Sequence, residues 1–169
     1  MAILETERLV LRELDSECDA AFVNELLNSP KFLKYIGDRN VRSVAEAADF
    51  IENKYAPSYR EHGYGLYAVD LKTNGMPIGI CGFVRRDTLP GPDIGFAFLP
   101  EHEGKGFGVE SAQATMKYGR ETLGFDEVWA ITSVDNDASG RLLEKLGFTF
   151  KENLGSGTDT LKLFHSKAS

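Results

Sequence analysis

The sequence predicts a mixed α/β domain whose central sheet is mostly antiparallel, carries one parallel strand pair and is flanked by helices. Three observations predict it. Apolar segments at 64–70 and 78–84 flank Thr73-Asn74-Gly75, and an Asn-Gly pair between two such runs is a strong hairpin signal. A strand-like run at 93–99, an amphipathic helix at 107–123 and an apolar run at 128–134 form a strand–helix–strand crossover, which makes the two strands parallel neighbours. Two further helical patterns lie ahead of the hairpin, at 16–28 and 43–62.

Each element follows from its own periodicity. Residues 8–14 alternate like an edge strand, with Leu9 and Leu11 on one face. Ala20, Val23 and Leu27 recur at helical spacing in the first helix, and Val44, Ala47, Ala48 and Ile51 do so in the second. Pro57 should kink or end that second helix. After the hairpin, Leu89-Pro90-Gly91-Pro92 leads into the third strand of a meander. The helix at 107–123 places Val109, Ala112, Met116, Gly119 and Leu123 on one face, and Gly124 suits its C-terminal cap. A buried strand at 128–134 and a short helix at 137–146 follow, the helix ending at Gly147. The last strands are expected at 148–151 and 159–164, joined by a mobile tip at Gly155-Ser156-Gly157-Thr158.

Length and composition bound the function. A chain of 169 residues fits one domain, 1–169, and buries roughly 70% of its unfolded surface. Apolar residues make up 42% and charged residues 27%, as in ordinary globular proteins. No apolar run approaches the ~20 residues of a membrane span. Glu5 and Glu7 stand where a secretory signal would be basic, and Cys18 and Cys81 are isolated, so a reduced, cytoplasmic setting is expected. His62, His102 and His165 are too scattered for a metal site. A net charge of −7 argues against nucleic-acid binding.

The chemistry lies in Glu103-Gly104-Lys105-Gly106-Phe107-Gly108, where three alternate glycines separate a strand from a helix. Glycine permits a tight turn and close approach of a ligand to backbone. The first N–H groups of a helix lack intrahelical partners, and with the helix dipole they attract an anion such as a pyrophosphate. The run is not a P-loop, since no Gly-Lys-Ser/Thr ending follows, and Val109 occupies the third glycine of a dinucleotide fingerprint.

Around that loop the sequence resembles the GNAT superfamily of N-acetyltransferases. Pro92-Asp93-Ile94-Gly95-Phe96-Ala97-Phe98-Leu99-Pro100 precedes it. The family pattern Gln/Arg-x-x-Gly-x-Gly/Ala, then Asn-x-x-Ser/Ala and Lys-x-Gly-Phe, falls on Glu103, Gly106 and Gly108, then Asn136, Ser139, Lys145, Gly147 and Phe148. Thr6-Glu7-Arg8-Leu9-Val10-Leu11-Arg12, Tyr64-Gly65-Leu66-Tyr67-Ala68-Val69 and Ile78-Gly79-Ile80-Cys81-Gly82-Phe83 resemble the branch that acetylates ribosomal-protein N-termini. The resemblance covers nearly the whole chain. Two positions depart from it: Glu103 replaces the usual Gln or Arg, and Leu143 replaces a Tyr that serves many members as general acid.

The resemblance implies a GNAT-like sheet whose parallel pair splays apart, with the pantetheine arm of acetyl-CoA in the gap. It implies cosubstrate contacts at Ala97, Phe98, Leu99, Gly104, Lys105, Gly106, Phe107, Gly108, Asn136 and Ser139, with no metal. Lys105, Arg141 and Lys145 supply local positive charge. The reaction implied is direct transfer of acetyl to a primary amine, of a small molecule or a protein N-terminus. A backbone N–H near Ala97 or Phe98 would serve the acyl oxygen, and Ser139 would serve the leaving thiolate in place of the missing Tyr. Asp93 is the favoured general base, ahead of Glu101 and Glu103. The alternative is a CoA-binding sensor or interaction module with weak turnover; monomer and homodimer both stay open.

Each residue also has a plainer role. The glycines would make a turn, Asn136 and Ser139 would cap the short helix, and Asp93 and Lys105 would be solvated charges. Tyr35, Tyr64 and Tyr67 line an acceptor pocket or belong to the core, and Cys81 reads as a small core residue.

Overall fold

A computed structural model describes residues 2–155 and 160–168. Four of the unassigned positions, 156–159, hold most of the expected hairpin tip and the predicted start of the last strand, which therefore lie outside the described residues. The strands are β1 (Ala2–Glu5), β2 (Leu9–Arg12), β3 (Leu66–Leu71), β4 (Pro77–Arg85), β5 (Pro92–Phe98), β6 (Glu127–Ser133), β7 (Thr149–Leu154) and β8 (Leu161–Lys167). The helices are α1 (Ala20–Leu27), α2 (Val44–Phe50), α3 (Ala56–His62), α4 (Phe107–Glu121) and α5 (Asp137–Lys145). No helix among the described residues is long and apolar enough to cross a membrane.

The strands form one sheet in the order β1-β2-β3-β4-β5-β6-β8-β7. Every pairing is antiparallel except β5 with β6, the pair joined through α4. That parallel pair is held at a single register position, Asp93 opposite Trp129. Beyond it β5 continues along β4 as far as Phe98, whereas β6 pairs with β8 from Glu127 to Ser133. The outer half of β5 thus loses its partner, and a wedge opens between the two strands.

Alternation along the strands divides the core between the two sheet faces. Tyr67 and Val69 of β3 join Leu9, Leu11, Phe83, Ala112, Met116 and Leu143 in one cluster, under α4 and α5. Ala68 between them faces the other way, among Val23, Leu26, Ala47, Ile51 and Leu99 beneath α1 and α2. Leu9 and Leu11 have no exposed surface, and burial of each contributes about 2 kcal/mol. Edge-to-face rings of Tyr64, Phe83 and Phe125, 5.0 to 6.2 Å apart, seat the turn that follows α4.

Local chemistry explains where the elements depart from the sequence pattern. The strand predicted at 8–14 is limited to Leu9–Arg12, and β1 adds an edge strand that its irregular pairing with β2 hides from a period-two reading. The first helix starts at Ala20 rather than Ser16, because Asp15 accepts the N–H groups of Glu17 and Cys18 in a turn. Pro57 does not end the helical run: a wide π turn at Ile51–Tyr55 joins α2 to α3, and Pro57 falls in the first turn of α3. A second π turn, Phe32–Ile36, has no counterpart in the sequence reading. Ser111 and Thr115 are buried on α4 with Ala112 and Met116, whereas Val109 and Leu123 are half-buried. Cys81 is core, its Sγ 3.4 Å from Thr115 Oγ1, and burial pushes its thiol pKa up to about 11.

Arg12 staples the helical layer to the sheet. Its guanidinium donates to both Asp19 carboxylate oxygens at 2.8 and 2.9 Å and to Asp70 Oδ2 at 2.6 Å. Asp19 is 1% exposed, so the loss of Arg12 strands a buried charge. Arg12→Met is expected to lower the unfolding free energy by about 3 kcal/mol in urea titrations, and Arg12→Met with Asp19→Asn to cost less than the two separate losses combined.

Candidate active site

The glycine run shapes one wall of the site. After β5, a 3₁₀ turn at Pro100–His102 leads to Gly104 at φ 74° and Gly106 at φ 84°, left-handed positions that cost a residue with a Cβ roughly 1–2 kcal/mol each. Gly106 caps α4 without any side-chain acceptor, so the first N–H groups of the helix stay open to a ligand. Gly108 has a different task. A Cβ there would stand 3.0 Å from Leu142 Cδ1, so its absence lets α5 pack against the first turn of α4.

The loop is braced from outside by Arg8. Its Nη1 donates to the Lys105 carbonyl at 3.2 Å, its Nε to Glu110 Oε1 at 2.6 Å, and its guanidinium lies 4.3 Å from the Phe107 ring centroid. Thr6 Oγ1 donates to the other Glu110 oxygen. Glu110, an acid in the first turn of an anion-binding helix, is thereby held by the β1–β2 turn. Glu103, the departure from the family pattern, pairs with Lys31 Nζ at 2.5 Å, which offsets its charge at the loop.

A cavity of about 710 Å³ lies against this loop. Of the residues singled out from sequence, Ala97, Phe98, Gly104, Gly106, Phe107, Gly108, Asn136 and Ser139 line it, with Arg141 and Lys145 adding positive charge and Asp135 and Asp137 negative charge. Leu99 and Lys105 do not. Leu99 is buried against the α1–α2 layer and its N–H bonds Ile78 O, while Lys105 is exposed and meets Arg8 through its carbonyl. Asn136 caps α5, its Oδ1 accepting the Ser139 N–H at 3.3 Å, which leaves the Ser139 hydroxyl outside the capping bond.

Sheet pairing selects which backbone groups face the wedge. Leu99 N–H donates to Ile78 O at 2.9 Å, so in an antiparallel ladder Ala97 is likewise bonded to Ile80. The backbone groups of Phe96 and Phe98 point the other way, into the gap. Between Ala97 and Phe98, the free donor is that of Phe98.

On the far side of the wedge lies a second cavity of about 430 Å³. The two share Phe32, Tyr35, Ile36, Phe96, Ala97, Asn136 and Ser139 as walls. Asp93 lines the second cavity at the closed end of the wedge, 1% exposed, with Arg86 Nε 3.1 and 3.2 Å from its oxygens. Burial pushes the Asp93 pKa up to about 6, against the pull of Arg86. Glu101 lines neither cavity, and Glu103 lines only the first. Leu143 is fully buried in the second cavity wall, where it presents no hydroxyl. Thr132 Oγ1 is buried there without a hydrogen-bond partner among the described residues. Tyr64 and Tyr67 belong to the core, whereas Tyr35 lines both cavities.

The residues missed from sequence are Phe32, Ile36, Arg39, Lys54, Tyr55 and Arg86. Most ride on or beside the two π turns, whose wide spacing falls outside a 3.6-residue pattern. Among the described residues no three His, Cys, Asp or Glu side chains converge to hold a metal ion.

Comparison with known proteins places this geometry. The family described as "Acetyltransferase (GNAT) domain" matches residues 8–149. The Bacillus subtilis protein YoaA, named as an uncharacterized N-acetyltransferase, is 31% identical over 147 residues, covering 86% of this chain and 82% of its own. The ribosomal-protein-S5-alanine acetyltransferase of Vibrio fischeri superposes with a TM-score of 0.80 at 15% identity, over 97% of this chain and 95% of that one. The spermidine N-acetyltransferase of Vibrio cholerae, solved with CoA and spermine, gives 0.78 at 20% identity over 96% of both chains. These two solved structures share the fold, and the family match extends over most of the sequence. The chain belongs to the GNAT family of acetyltransferases.

Proposed function

We propose that the chain moves an acetyl group from acetyl-CoA to a primary amine by direct attack, with both substrates bound together. The observation that carries this reading is the pair of cavities that meet at the wedge through Phe96, Ala97, Asn136 and Ser139. One side suits the cosubstrate: left-handed glycines, an uncapped helix start and two nearby cations fit a diphosphate. The other side holds a buried carboxylate. Neighbours titled as acting on a ribosomal protein or on spermidine support an amine acceptor, either a protein N-terminus or a small molecule.

Acetyl-CoA supplies the thioester, an acyl group already activated for attack. Asp93 then has the work of a base. An α-amino group with a pKa near 8 is largely protonated at neutral pH, and a carboxylate whose pKa is about 6 accepts its proton, directly or through water. The Phe98 N–H is aimed to hold charge on the acyl oxygen. The Ser139 hydroxyl, on a residue that lines both cavities, is the donor we assign to the departing sulfur, a role that Leu143 lacks the group to fill. A nitrogen–carbon bond forms, the carbon–sulfur bond breaks, CoA leaves as the thiol, and one proton passes to solvent. The absence of a hydroxyl at Leu143 also favours a second reading, a CoA-binding module with little turnover.

Three variants test these roles. Gly106→Trp is expected to abolish acetyl-CoA binding by calorimetry while the far-ultraviolet circular dichroism stays native. No binding by folded wild-type protein would remove the reading altogether. Ser139→Ala keeps the backbone N–H that Asn136 caps, so cosubstrate affinity should hold while kcat, read by thiol release, falls roughly 10- to 100-fold. For wild type, kcat/KM should fall tenfold per pH unit below about 6, as Asp93 takes up a proton and ceases to be a base. Asp93→Asn should erase that limb and lower the rate at pH 7.5 by roughly 10²–10⁴. Because burial disfavours the Asp93 charge, the Asn variant should be no less stable at pH 7.5, which separates lost chemistry from lost fold. Saturable acetyl-CoA binding without thiol release from any amine supports the binding module instead.

A further inference from the structure

The second cavity has the wrong charge for a polycation. The protein carries a net −7, yet this cavity is lined by Arg39, Lys54 and Arg86 against a single carboxylate, Asp93. Arg86 is committed to that carboxylate. Arg39 and Lys54 have no carboxylate partner among the described residues, although acids are plentiful elsewhere on the surface. They arrive from separate elements. Arg39 follows the first π turn and its guanidinium carbon lies 5.9 Å from the Phe32 ring centroid; Lys54 sits within the second π turn. Neither lines the cosubstrate cavity, so their charge is not explained by CoA phosphates.

A second observation is independent of charge. Thr132 on β6 belongs to the wall of the same cavity and is 8% exposed, and its Oγ1 has no hydrogen-bond partner among the described residues. An orphaned buried hydroxyl costs free energy unless a ligand satisfies it. Two unpaired cations at the rim and a polar atom within make a site for a small group that is anionic and accepts hydrogen bonds. Arginine in particular matches the planar, two-oxygen geometry of a carboxylate.

Resting on the acetyl-transfer reading for the amine itself, we infer that the acceptor is a small amine carrying a compact anionic group, a carboxylate or phosphonate. Arg39 and Lys54 hold the anion, Thr132 contributes a neutral hydrogen bond, and the amine lies toward Asp93 and the wedge. A polyamine, by contrast, would bring further positive charge against three cations.

The test reads binding apart from turnover. CoA-loaded protein is titrated by calorimetry with the N-acetylated standard amino acids, their C-terminal amides, N-acetylaminomethylphosphonate and N-acetylspermidine. At least one anionic ligand should bind about tenfold or more tightly than its amide, and the preference should shrink with added salt. The Arg39→Gln/Lys54→Gln variant should lose that preference and keep wild-type CoA affinity, both side chains being exposed and remote from the cosubstrate cavity. Thr132→Val should weaken anionic and amide ligands alike. Strongest binding by the phosphonate assigns the anion to that class, and strongest binding by a carboxylate assigns it to the other. Equal or tighter binding of the amides or of N-acetylspermidine, or no binding by any anionic ligand, overturns the inference. Anion preference without thiol release from the matching free amine keeps the anion site of Arg39 and Lys54 and removes the transfer reading on which the word acceptor rests.

Discussion

The site exists because β6 cannot serve two neighbours along its full length. Its antiparallel register with β8 runs from Glu127 to Ser133, while its parallel contact with β5 is held at one position, Asp93 opposite Trp129. Sheet twist accumulates from strand to strand, so two partners that draw β6 in different directions separate progressively from that point. An exposed strand edge inside a fold is normally a defect, because its backbone groups lack partners. Here the exposed edge, at Phe96 and Phe98, is walled by two cavities and is thereby available to a ligand.

Around that wedge, electrostatics is arranged locally rather than through the net charge. Glu103 beside the glycine loop is offset by Lys31, and Glu110 in the first helical turn by Arg8 and Thr6. With both acids offset, Arg141 and Lys145 stand against Asp135 and Asp137 in the wall of the first cavity, and the open helix start adds positive character beside them. Across the wedge, burial raises the Asp93 pKa to about 6, and Arg86 keeps it from rising further. A chain that is acidic overall thus presents an excess of cations to the second cavity.

The glycine run, Asn136 and Ser139 were legible because their chemistry is local. A left-handed turn demands glycine at 104 and 106, and a helix start demands a cap such as Asn136, wherever the surrounding chain goes. The hairpin at Asn74-Gly75 and the helix of α4 were legible for the same reason. The π turns were not. They arise in the helical layer, the second beside Pro57, and they bring Phe32, Tyr35, Lys54 and Tyr55 to the second cavity. Leu99 and Lys105, neighbours of the loop in sequence, lie outside the cavity lining: the Leu99 N–H bonds Ile78 O, and the Lys105 carbonyl accepts from Arg8.

By itself, then, the amino-acid sequence determined the class of fold, the crossover around α4 and the residues of the loop, since each depends on periodicity or on the dihedral limits of single residues. Tertiary structure alone decided the rest. Whether Asp93 is a solvated carboxylate or a buried one is set by the strand pairing that puts it opposite Trp129, distant in sequence: there it is 1% exposed, and that burial raises its pKa against the pull of Arg86. Which backbone donor faces the gap is set by the register of β4 with β5. Arg39, Arg86, Lys54 and Thr132 form one cavity only because four separate segments converge, a juxtaposition that depends on long-range packing and leaves no trace in spacing along the chain.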